Sequence, residues 1–234
     1  MGQSFFQSSF IFGFVSIVIV GVCLILWLIT MGIGYQISTG EKKALLGPKE
    51  FMKVPVLFLF TYLLFYVLIP FFWRLWVEKR TPSSMYLSFG PRNGWLWVLF
   101  IGISILIGIF SSQLGDNTNT PKPLSRHIFT FFQCLLIGLT EEFLFRLFLT
   151  GRLAIIVSPW IAIIIGSLVF MVFHLQTPAG TTQRIYYYLY VILVSIFLGF
   201  EYFYFQSIWI CVISHFLFNF LSFTILPLQK KKSQ

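Results

Sequence analysis

Leu139-Thr140-Glu141-Glu142-Phe143-Leu144-Phe145-Arg146 lies inside a run that is otherwise apolar from residue 128 to residue 149. A run of that length crosses a bilayer as a helix, and an ionisable side chain at the centre of such a helix costs about 2.5 to 3.5 kcal/mol to insert. Two adjacent carboxylates and an arginine in that setting are candidates for function. Glu142 and Arg146 are spaced i,i+4, so a helix places them on one face with the carboxylate N-terminal to the cation, the favoured order for pairing. Glu141 points about 100° away from Glu142. With Glu142 held by Arg146, Glu141 remains to accept a proton, as a general base must.

The composition around this stretch fixes the class. Hydrophobic residues make up 58% of the 234-residue chain and charged residues only 10%, far from the usage of a soluble domain. The expectation is an all-α, polytopic transmembrane helix bundle enclosing a polar cavity. Seven runs are apolar enough to be read as spans: 10–33, 54–72, 95–113, 128–149, 160–174, 185–204 and 208–226. No linker divides them, so residues 1–234 read as a single integral membrane domain. The first run lacks a basic segment before it and reads as a retained helix rather than a cleaved signal.

A net charge of +9 does not indicate nucleic acid, because the basic residues lie between apolar runs rather than in one aromatic-interleaved patch. They read as orientation signals. With strict alternation one side carries Lys42, Lys43, Lys49, Lys53, Lys122, Arg126, Arg184, Lys230, Lys231 and Lys232, and the other carries Arg74, Lys79, Arg80, Arg92 and Arg152. The positive-inside rule puts the first set, and the C-terminus, in the cytoplasm. Cys23, Cys134 and Cys211 each lie in an apolar run without metal-ligand spacing and read as packing residues. Residues 83–91 read as a short surface element, and Ser125 as a cap for the fourth helix.

Two further polar clusters sit in apolar runs. Pro159 fits a turn around Ser158 better than a helix interior. Across such a turn residues whose numbers sum to about 316 share a depth, which levels His174 with Glu142. On its own His174 is equally well read as marking the membrane edge. His215 and Asn219, spaced i,i+4, share one helical face and can both donate to a single oxygen. Alone, that pair reads as polar glue between membrane helices, but three such clusters on three apolar helices point to one site. Glu201, in a stretch rich in Tyr and Phe, receives no role and is expected near the interface.

Glu141-Glu142-x-x-x-Arg146, Phe170-x-x-x-His174 and His215-x-x-x-Asn219 together resemble the three ordered motifs of the CPBP (Abi) intramembrane proteases, which include the type II CAAX prenyl endopeptidases related to the Ras-converting endopeptidase. The resemblance spans residues 129–222. It implies the eight spans of the prenyl endopeptidase branch, one more than the seven runs, and hydrolysis of a peptide bond near the membrane surface. By the resemblance Glu141 and His174 hold and activate a water, His215 and Asn219 stabilise the oxyanion, and Glu142 and Arg146 form a supporting pair. The substrate class would be a CAAX-type peptide, or another peptide or membrane-protein segment, lipidated or not. No Gly-x-Ser-x-Gly nucleophile motif is present.

Two alternatives stand beside this reading. Glu141, His174 and His215 could hold zinc with an open position for water, although no His-Glu-x-x-His spacing occurs; the primary reading needs no cofactor. A non-proteolytic membrane scaffold, or an assembly or immunity factor keeping the same fold, would also use a large aromatic surface. The residues do not separate a bacterial plasma membrane from an organellar or thylakoid membrane.

Overall fold

The computed structural model describes residues 18, 22, 63–77, 79, 81, 83–87, 94–112, 124–174 and 181–224. The expected span 10–33, apart from helical Val18 and Val22, and residues 54–62 of the expected span 54–72 lie outside these residues. All regular structure among the described residues is helical. In an apolar solvent this outcome is imposed by the backbone, whose N–H and C=O groups must be satisfied within the chain. We label the helices α1 (residues 63–77), α2 (Leu96–Ser112), α3 (residues 124–156), α4 (Pro159–Phe173), α5 (Thr181–Phe205) and α6 (Ile208–Thr224).

The boundaries follow local chemistry. Ser158 is the N-cap of α4, its hydroxyl accepting from the Ile161 N–H at 3.4 Å with Pro159 in the first turn. Phe170 then comes to rest under Arg146, with the guanidinium carbon 4.9 Å from the ring centre, as the depth relation across that turn requires. Between α5 and α6 the chain turns through Gln206 at φ 51°, a left-handed position that glycine would hold with less strain. Ser125 falls within the first turn of α3, which begins at Leu124, and so does not precede the helix as a cap.

The described residues bear on only part of the span count, since the expected span 10–33 lies mostly, and the expected span 54–72 partly, outside them. Only two helices among the described residues, His127–Ile156 and Ile185–Phe205, are long and apolar enough to cross a membrane, while α2, α4 and α6 are shorter apolar helices. At 1.5 Å per residue a helix of 15 to 17 residues measures only about 22–26 Å, less than the roughly 30 Å hydrocarbon core. Apolarity counts residues, whereas crossing depends on length. The short element expected after α1 is a 3-10 turn, Ser83–Met85, in which Ser84 is exposed and Met85 wholly buried. The carbonyls of Tyr86 and Leu87 then accept from the Ile208 N–H and the Trp209 indole, both at 2.9 Å. That turn satisfies one of the orphan donors at the start of α6.

Helix α6 is the centre of the packing, lying against α2, α3 and α5, while α4 packs on α5 and on the middle of α3. Close approach of α6 to α3 depends on Gly138: a Cβ there would lie 3.2 Å from both the Phe216 nitrogen and the Val212 carbonyl oxygen. Small residues at such crossings let membrane helices meet backbone to backbone. Gly138→Val is therefore expected to destabilise the protein by about 1–3 kcal/mol through overpacking. Gly102→Ala, where nothing lies within 4 Å, should be neutral or slightly stabilising. Thermal unfolding in detergent checks both, and equal melting temperatures for the two variants would contradict the close-approach role.

Candidate active site

Helix α3 changes its winding at the residues that matter. It is α-helical over Leu124–Glu142, π-helical over Phe143–Thr150 and α-helical again over Gly151–Ile156. A π stretch widens the helix, changes its phase and displaces the regular carbonyl pairing, and such stretches occur often at functional sites. The displaced carbonyls need partners. Leu147 finds one in the guanidinium of Arg74, which reaches across from α1. Arg74 and Arg152 are buried, 3% and 6% exposed, so neither is the surface orientation charge that the sequence suggested.

Glu142 is fully buried and engaged on both oxygens. Its Oε2 lies 3.1 Å from Arg146 Nε and its Oε1 2.6 Å from His215 Nδ1. Since a carboxylate accepts, His215 donates its Nδ1–H, which makes Nε2 the lone-pair nitrogen of the neutral ring. That Nε2 faces Glu141 Oε2 at 3.7 Å, beyond a direct hydrogen bond and within the reach of a bridging water. Arg146 also donates through Nη2 to the Ser195 carbonyl at 3.1 Å and the Ser195 hydroxyl at 3.0 Å. The adjacent glutamates thus differ in setting: the Glu142 side chain is sealed, whereas that of Glu141 keeps 15% of its surface.

His174 caps the C-terminus of α4, and its Nδ1–H donates to the Phe170 carbonyl at 2.8 Å. The Phe170 ring is 4.5 Å from that of His174 and 6.1 Å from that of His215, centre to centre. It therefore ties His174 to the cluster while covering Arg146. Asn219 stands one turn beyond His215 on α6, partly buried. Among the described residues no three His, Cys, Asp or Glu side chains are grouped so as to hold a metal ion.

Helix α5 contributes residues that the motifs leave out. Glu201, expected near the interface, is fully buried and accepts from the Ser214 hydroxyl at 2.8 Å. The criterion that singled out Glu141, an ionisable group in an apolar run, applied to Glu201 as well. Ser195 and Ser214 carried no such signal, because an isolated serine in a membrane helix is ordinary.

Residues 123–221 match a family described as Type II CAAX prenyl endopeptidase Rce1-like. The match encloses all three motifs and relates this part of the chain to the CPBP/CAAX proteases, which are membrane-embedded. No curated protein and no solved structure matches the chain.

Removing one member of a buried ion pair leaves the other uncompensated, at a cost of about 3–5 kcal/mol. Arg146→Leu is expected to lose that much, and Arg146→Leu combined with Glu142→Leu should recover part of it. Denaturant titration in mixed micelles measures both. Additive losses in the double variant would contradict the pairing.

Proposed function

We propose that this protein is a multi-pass membrane endopeptidase in which an activated water, and no side chain, attacks the peptide carbonyl. The observation that carries the reading is the division between neighbouring carboxylates. Glu142 is sealed and committed to Arg146 and His215, while the Glu141 side chain keeps 15% of its surface and turns a buried Oε2 toward His215 Nε2 at 3.7 Å. The family likeness over residues 123–221 supports hydrolysis of a peptide bond as the chemistry of this arrangement.

In this reading Glu141, assisted by His174, takes a proton from water as the oxygen attacks the carbonyl carbon. The carbonyl electrons move to oxygen, and His215 and Asn219 donate to the resulting oxyanion, a role confined mainly to the transition state. Collapse breaks the C–N bond, and the departing amine recovers the proton from Glu141. With Nδ1–H given to Glu142, donation by His215 requires a second proton on Nε2.

A second assignment is favoured by the 2.6 Å contact itself. A carboxylate that accepts from Nδ1–H orients a histidine to act through Nε2 as a base. His215 would then deprotonate the water, and Glu141 would hold it. The substrate in either case is a peptide or membrane-protein segment that reaches the site from the lipid or its surface, including a lipidated C-terminus.

Glu141→Gln is expected to keep the fold and abolish cleavage. His215→Ala and Asn219→Ala should each lower kcat by about 100-fold to 1,000-fold with little change in KM. A loss at His215 equal to that at Glu141 would favour the second assignment. Intact cellular function and intact cleavage in Glu141→Gln would instead support a scaffold. Activity in liposomes is expected to survive prolonged chelation, and a loss restored by added metal would contradict a metal-free mechanism.

A further inference from the structure

Three buried hydrogen bonds link α3, α5 and α6 pairwise. Arg146 joins α3 to α5 at Ser195, Glu142 joins α3 to α6 at His215, and Ser214 joins α6 to α5 at Glu201. On α3 the Glu142–Arg146 pair connects two of these links. The third, between Ser214 and Glu201, has no part in the mechanism above, yet Ser214 immediately precedes His215.

We propose that Glu201 is a positioning residue for His215: by accepting from Ser214 it fixes the rotation of α6, and with it the geometry in which His215 meets Glu142 and Glu141. Glu201 has no exposure, and Ser214 is its one hydrogen-bond partner among the described residues, the second carboxyl oxygen being buried without one. A carboxyl placed there at such desolvation cost is held by what its one bond does. Arg146, within electrostatic reach of Glu201, is already engaged by Glu142 and Ser195. The link therefore acts through hydrogen-bond geometry and not through a fixed charge. Rotating a helix by about 10° carries a side-chain tip at a radius of roughly 5–6 Å through about 1 Å. A displacement of about 1 Å at a reacting group can lower a rate about 100-fold.

The test uses the full chain in detergent micelles, labelled with ¹⁵N at histidine. Only three histidines contribute, so His127 and His174 serve as internal controls. Glu201→Gln keeps the acceptor for Ser214 and is expected to leave the His215 ring signals at their wild-type positions, with kcat within about 3-fold. Glu201→Leu and Ser214→Ala break the bond. Both should shift the His215 signals and leave those of His127 and His174 in place. Both should also lower kcat by about 10-fold to 100-fold at nearly constant KM.

The proposal is overturned if Glu201→Gln disturbs His215 as much as Glu201→Leu does, which would mean that charge is what matters. It is also overturned if Ser214→Ala leaves the His215 signals unmoved, and that milder variant decides the matter should Glu201→Leu fail to fold. The kinetic arm rests on the peptidase reading, whereas the spectroscopic arm does not. A wild-type protein that hydrolyses no peptide, with His215 still following this pattern, would overturn the peptidase reading and support the positioning role.

Discussion

Glu142, sealed from solvent between the Arg146 guanidinium and the His215 imidazole, is the constraint on which the rest of the site depends. A charged group without solvent is tolerated only when its lone pairs are met, and here one partner lies on its own helix and the other across the bundle. Meeting both fixes the spacing and the phase of α3 against α6. The consequence for chemistry falls on the neighbouring residue. Because Glu142 is committed, Glu141 is the one of the two glutamates whose side chain keeps exposed surface.

Holding that arrangement takes help from residues outside the motifs. Gly138 lets the backbones of α3 and α6 approach, so that side chains three and four residues later reach the level of His215. The π-helical winding that begins at Phe143 continues under the support of Arg74, whose guanidinium satisfies the Leu147 carbonyl. Gly151, where a Cβ would lie 2.9 Å from the Tyr202 hydroxyl, leaves room for that support. Phe170 spreads one aromatic face over Arg146 and brings the His174 and His215 rings to its edges.

What could be read from the sequence was what is local. The Glu142–Arg146 pair follows from i,i+4 spacing and the turn around Ser158 from Pro159, and the depth relation across that turn, drawn there for His174 and Glu142, also fits Phe170 under Arg146. All are set within one helix or across one turn. The contact between Glu142 and His215 was not legible, because it depends on a helix crossing between residues 73 positions apart. Arg74 and Arg152 were counted as loop charges because hydropathy records where a residue falls along the chain. It does not record whether a π-helical carbonyl waits for it. Glu201 was placed near the interface by its aromatic neighbours, although its own cost of burial pointed inward. Apolarity alone does not settle how many runs cross, because among the described residues only two helices also have the length that crossing demands.

The central claim, that water attacks a peptide bond at this cluster, is tested most directly by the oxygen in the product. The protein, reconstituted in liposomes with a membrane-associated peptide, is run for a single turnover in water enriched in ¹⁸O, and the new C-terminal fragment is weighed by mass spectrometry. The account predicts one heavy oxygen in the new carboxylate and no fragment covalently attached to the protein at any time. An acyl-enzyme adduct on a serine or cysteine, or folded protein that cleaves nothing, would contradict it.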